Sequence, residues 1–211
     1  MTDTGPGAQP SGLRIVGILL AAGKGARFGG GKLLAPLRTA FDDIPAGTPI
    51  GAAACRHLVA ALPETIAVVR PGDSLLAAML AAEGARVIEC ARADEGMGAS
   101  LACGVSAAAG AAGWVIALGD MPWIQAATIR AVAATIAAGA HIAAPEFDGR
   151  RGHPVAFSRR HGVALAALEG DEGARAILAA HKASIRMLAV ADAGVVRDVD
   201  RRDDIEPASP R

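Results

Sequence analysis

The sequence contains no tyrosine, and its four phenylalanines and two tryptophans bring the aromatic share to only 3%. Stacking platforms for single-stranded nucleic acid are built from such rings, so that class is disfavoured. Net charge is missing as well, because Lys and Arg total 21 and Asp and Glu total 21. A chain without a broad basic field does not grip duplex nucleic acid, and any phosphate it binds must be met by a few placed cations. No uninterrupted apolar run reaches the roughly 18 residues of a membrane span, so neither nucleic acid nor membrane is an expected partner. The opening segment MTDTGPGAQPSG lacks the basic-then-apolar order of a secretory signal. It reads as a disordered leader over 1–12, and 206–211 reads as a disordered tail. Cysteine is scarce and odd in number. Cys55, Cys90 and Cys103 fit neither a disulfide framework nor a zinc spacing, which predicts free thiols in a reducing cytoplasm.

What the chain has in abundance is aliphatic residues: 52% of its 211 positions are hydrophobic, enough for one large core. Short Val- and Ile-rich runs bounded by Gly, Pro or Asp predict strands over 14–20, 65–70, 85–90, 114–118, 141–144, 154–157 and 185–190. Between them, alanine-rich stretches with apolar residues at helical spacing predict helices near 49–61, 73–83, 97–109, 125–138, 161–168 and 173–182. This alternation predicts an α/β fold, a single Rossmann-like three-layer domain over 13–205 with a mostly parallel central sheet covered on both faces. The stretch RTAFDDIPAGTP, residues 38–49, reads as a surface loop. In open sheets of this kind ligands bind beyond the carboxyl ends of the strands. The residues to look at are therefore those that follow each predicted strand.

After the first strand comes LLAAGKGARFGGGKLLAPL, residues 19–37, with five glycines and three cations. It is not a Walker loop: Ala26 stands where the first glycine belongs, and Leu33 where Ser or Thr should follow Gly31-Lys32. As a dinucleotide fingerprint it begins well with Gly23-Lys24-Gly25, but Phe28 occupies the last glycine position. The acidic residue expected about 20 positions on would be Asp42 or Asp43, in a proline-bounded loop, so an NAD(P)-binding oxidoreductase is the weaker alternative. What remains is the physics common to both motifs. Glycine-rich backbone brings N–H groups close to an anion, and Lys24, Arg27 and Lys32 add charged donors. Asp120 follows the apolar run WVIAL and Gly119, at the end of a predicted strand. A carboxylate there suits magnesium, which keeps waters and substrate phosphates as its other ligands. The same residue could instead cap the helix predicted from near Gln125. In VVRDVD, Asp198 and Asp200 share one face of a predicted short strand.

Six stretches in order carry a resemblance over most of the chain: LAAGKGARFGGGKLL, EGMGASLACGV, VIALGDMPWI, RGHPVAFS, GDEGARAIL and RDVDRRDDI. Together they resemble the MobA-like nucleotidyltransferases, and the Ala-Ala-Gly form looks most like the molybdenum cofactor cytidylyltransferases. The guanylyltransferase branch more often has Ala-Gly-Gly there. The resemblance implies a reaction in which CMP moves from CTP, or a nucleotidyl group from another NTP, to the terminal phosphate of a molybdopterin-type cofactor. A guanylyl or other transfer to a different phosphate acceptor is the alternative within the family. It implies Mg2+ or Mn2+ held by Asp120 and Asp200, with Asp198 in reserve, and phosphate contacts from Arg27 and Lys32. Leu20, Ala21, Ala22, Gly23 and Gly25 would present backbone to the nucleotide. Gly98 and Ser100 would touch base or ribose, Ser100 being equally suited to cap a helix. His153 and Arg175 would face the cofactor substrate, and a molybdoenzyme or its chaperone would receive the product. Lys24-Gly25, Arg201-Arg202 and the longer 38–48 segment depart from the family pattern. His57, His141, His161 and His181 show no ligand spacing, and Met97 and Met121 are expected to pack.

Overall fold

The computed structural model describes residues 14–205. The leader over 1–12 and the tail over 206–211 lie outside the described residues. Among those described, β1 (Ile15–Leu20), β2 (Thr65–Val69), β3 (Arg86–Glu89), β4 (Gly113–Leu118), β5 (Ile142–Phe147), β6 (Arg150–Arg151), β7 (Val155–Ser158) and β8 (Ile185–Ala189) form one sheet. Its order is β3-β2-β1-β4-β7-β5-β6, with β8 paired to β5. β1 runs parallel to β2 and β4, β2 to β3, and β5 to β8; only β7 and the short β6 run against their neighbours. The sheet is mixed and mostly parallel, and the carboxyl ends of β1 to β5 and β8 therefore share one edge.

Alternation along the strands divides the core in two. Leu19, Ala67, Val115 and Ala117 face a cluster with α1 (Ile50–Ala61), α2 (Ser74–Ala82) and α4 (Ala126–Ala137). Val16, Ile18, Val68, Trp114 and Ile116 face the opposite cluster with α3 (Met97–Ala107), α5 (Gly162–Ala166) and α6 (Arg175–Ala180). A strand residue buried on each face in turn gives the unbroken aliphatic run that a covered parallel sheet demands. α3 lies close to the sheet at Gly104, where an added Cβ would come within 2.7 Å of Ile18 Cγ2.

Three expectations change. The 38–49 segment is not wholly superficial: Ile44 is buried, and bridges at Pro36–Pro49 and Phe41–Ile44 fold the loop back on itself. Cys90 and Cys103 are not free thiols but form a disulfide, because α3 folds back over the end of β3 and brings their Cα atoms to 6.0 Å. Only Cys55 stays free, and burial pushes its thiol up to about 12. The compartment argument loses two of its three residues. The strand β6 was also not foreseen; Asp148 and Gly149, at φ 50° and 69°, make the tight turn that pairs it with β5. Among the described residues, no helix is long and apolar enough to cross a membrane.

Candidate active site

Leaving β1, the chain passes through residues 21–24 without regular structure and then turns with Gly25, Gly29, Gly30 and Gly31 all at positive φ. Such a path is open to glycine at little cost, and it lets the loop close over its own amides. Gly30 N–H and Phe28 N–H both donate to the Gly25 carbonyl. The buried Phe28 and Leu33 anchor the loop, leaving Lys24, Arg27 and Lys32 along the wall of a cleft of about 650 Å³.

Asp120 enters the same cleft from the end of β4, two residues past Leu118. Its carboxylate accepts from Lys32 Nζ at 2.5 Å, and Asp200 Oδ1 lies 4.0 Å from that ammonium. Arg27 donates to the other oxygen of Asp200. Asp200 reaches this point on the segment that follows β8, which is tied to the β4 loop by Val199 N–H donating to the Asp120 carbonyl at 2.9 Å. Two carboxylates thus converge on a single ammonium, beside a glycine-lined loop. The short strand expected over VVRDVD does not form: 193–196 make a 3-10 turn and 197–200 are irregular, so Asp200 lines the cleft while Asp198 is exposed and outside its lining. Partial desolvation, and then the charges of Asp200 and Asp120, push the Asp198 carboxyl above the usual range.

At the other end of the cleft the expected Lys24 meets two residues the sequence did not single out, Arg70 and Asp94. Arg70, just past β2, donates to the Ala22 carbonyl at 3.4 Å and pairs with Asp94, which also meets Lys24 at 3.1 Å. The two cations hold Asp94 below its ordinary carboxylate range. Arg70 could have been found by the rule that found Asp120, since it ends the run TIAVVR. Asp94 and Asp171, which also lines the cleft, come from loops whose return path has no sequence signal.

A family profile described as the MobA-like NTP transferase domain matches residues 17–185. The chain belongs to that family. Among curated proteins, this NTP transferase is 29% identical over 203 residues to purine catabolism protein PucB of Bacillus subtilis, covering 91% of this chain and 94% of the relative. Among solved structures it resembles Rv0371c of Mycobacterium tuberculosis, at 30% identity and a TM-score of 0.77, with 92% and 96% of the two chains covered. A second structure of Rv0371c, in complex with manganese, aligns at 29% identity and a TM-score of 0.70 over 90% and 95% of the chains. Molybdopterin-guanine dinucleotide biosynthesis protein A of Archaeoglobus fulgidus shares the fold at 16% identity and a TM-score of 0.58, over 90% and 94%.

Within this transferase, the expected residues divide. Leu20, Ala22, Gly23 and Gly25 line the cleft with Arg27, Lys32, Ser100, Asp120 and Asp200. Ala21 does not; it is buried, and its N–H donates to the Val68 carbonyl. Gly98 is drawn away too, its amide bound to the Gly170 carbonyl at 2.8 Å. Ser100 is no cap, because α3 starts three residues earlier and the hydroxyl donates back to the Gly96 carbonyl. Asp120 caps nothing either: α4 starts at Ala126, and its first turn is met by Asp192. Arg175 is exposed at the start of α6 and lies outside the cleft lining. His153 lies outside it as well, though close enough for Asp120 to act on its ring. Burial outweighs that carboxylate and depresses the imidazole to about 4, so the ring is neutral near pH 7, with Nδ1 buried and unpartnered. Asp42 and Asp43 gather around His57, away from the cleft, and the end of β2 carries Arg70 where a ribose-binding acid would belong. The dinucleotide reading therefore lacks its acid.

Proposed function

We propose that the chain transfers CMP from CTP to the terminal phosphate of a molybdopterin-type cofactor, in the cytoplasm, for use by a molybdoenzyme or its chaperone. The observation that carries this reading is the convergence of Lys32, Asp120 and Asp200 at the mouth of a glycine-lined cationic loop. The choice of CTP rests on the likeness of Ala21-Ala22-Gly23 to the cytidylyl branch. A terminal phosphate oxygen of the acceptor attacks the α-phosphorus of CTP, the bond to the β-phosphate oxygen breaks, and pyrophosphate leaves with that electron pair. Such transfers need in-line positioning and neutralisation of charge more than covalent chemistry.

Two hard carboxylate oxygens facing one cation position fit Mg2+ or Mn2+, and Asp120 and Asp200 would hold it. That ion would neutralise phosphate charge as the α–β bond breaks. Lys32, then shared between carboxylate and phosphate, and Arg27, with its planar fork, would grip the triphosphate. The glycine loop would approach the same oxygens with backbone N–H groups.

Pure protein incubated with Mg2+, molybdopterin-type cofactor and CTP, GTP or ATP in turn provides the test. Pyrophosphate release with CTP well above that with GTP is the expected result. Release with GTP alone would move the protein to the guanylyl branch, and none with any nucleotide would overturn the reading.

A further inference from the structure

Asp192 lies far along the chain from Asp120 and takes no part in the cleft, yet it is 5% exposed and both its oxygens are used. Oδ2 accepts from Gln125 N–H at 2.9 Å and from the Thr128 hydroxyl at 2.7 Å, while Oδ1 accepts from Gly194 N–H at 3.0 Å. A carboxylate is thus spent on the first turn of α4 from a distance of more than sixty residues in sequence, where helix amides would otherwise lack a partner. The segment it begins is the one that ends in Asp200.

We infer that Asp192 is a positioning residue that sets the spacing between Asp120 and Asp200. From Asp192 the backbone follows a single path to the cleft. Gly194 passes so close to Trp123 that a Cβ would lie 2.1 Å from its carbonyl oxygen, and Arg197 stacks over the Trp123 ring at 3.6 Å. His153 N–H donates to the Val195 carbonyl at 2.8 Å, and Val195 and Val199 are fully buried. The path closes with Val199 N–H on the Asp120 carbonyl. Residues 120–128 and 192–200 are therefore fastened at both ends, by Asp192 at one and by Asp120's own backbone at the other. Freeing the Asp192 end removes the tie at that end and lets the start of the segment shift against the β4 loop, a displacement that the remaining contacts pass on to the spacing of the two carboxylates. Asp204, whose Oδ2 accepts from the Asp200 and Arg201 amides at 3.0 and 2.6 Å and whose carbonyl accepts from Arg197 at 3.2 Å, adds a tie at the Asp200 end of the segment.

This inference rests on the metal pair of the proposed function, and its test separates the two. Mn2+ binding is measured by electron paramagnetic resonance on the full chain without nucleotide, for wild type and for Asp192→Asn, Thr128→Val and Asp200→Asn, with folding checked by thermal melts. Asp192→Asn is expected to weaken Mn2+ binding by about 10-fold or more, the scale of lost outer-shell supports. Thr128→Val, which removes one of the three donors, should weaken it by a smaller factor and serves if Asp192→Asn does not fold. Affinity within twofold of wild type in folded Asp192→Asn or Thr128→Val, with Asp200→Asn weakened, overturns the positioning role alone. Unchanged binding in Asp200→Asn overturns the metal pair and this role with it.

Discussion

Asp120→Asn is expected to lower turnover by about two orders of magnitude or more, the scale seen when a preorganised electrostatic group is lost. The amide keeps the shape of the side chain but removes the charge that would hold a divalent ion, and it leaves Lys32 with only the more distant carboxylate of Asp200. Stability should change little. The Lys32–Asp120 pair is partly solvated, with side-chain exposures of 14% and 24%, so its removal costs on the order of 1 kcal/mol. For a chain of this length that moves the melting temperature by only a few degrees. Steady-state rates and a thermal melt on the same preparation check both halves. Turnover near wild type would reduce Asp120 to a structural partner of Lys32.

Gly98→Ala is expected to have the opposite signature. An added Cβ would stand 2.4 Å from the Glu169 carbonyl oxygen and 3.0 Å from that carbonyl carbon. Both are backbone atoms, so no side chain can swing away to make room. Overpacking of this kind costs about 1–3 kcal/mol, and the melting temperature should fall by about 3–10 °C. The same displacement would push the 169–171 loop, which carries Asp171 into the cleft wall, away from α3. A direct nucleotide contact at Gly98 makes a different forecast: a raised KM with an unchanged melt. Calorimetry on Gly98→Ala distinguishes packing from contact.

These two residues illustrate what could be read from the chain and what could not. Asp120 was legible because a short aliphatic run ending in Gly-Asp places the acid at a strand's carboxyl end, where an open sheet binds its ligand. The seven aliphatic runs predicted as strands all correspond to observed ones, because short Val- and Ile-rich runs bounded by turn residues mark chain that packs into a sheet. The strand expected over VVRDVD, which carries two aspartates and an arginine in six residues, does not form. Gly98 was not legible, because its neighbour Glu169 is 71 residues away and only the folded chain brings them together. The Arg70–Asp94–Lys24 group needed the same knowledge, each member sitting on a different loop. The Cys90–Cys103 disulfide was hidden by counting, which treats three cysteines as a mismatch when one pair and one free thiol suffice. β6 escaped because two residues are too few for any periodicity, although the Asp-Gly that makes its turn was in plain view.

The most direct test is a crystal of the full chain grown with Mn2+ and a non-hydrolysable CTP analogue, read by anomalous scattering from the metal. A manganese peak coordinated by both Asp120 and Asp200, with the triphosphate along residues 23–32, is the predicted result. A peak at Asp42, Asp43 and His57 instead, the three-ligand cluster found among the described residues, with the nucleotide held apart from Lys32 and Asp120, would contradict it.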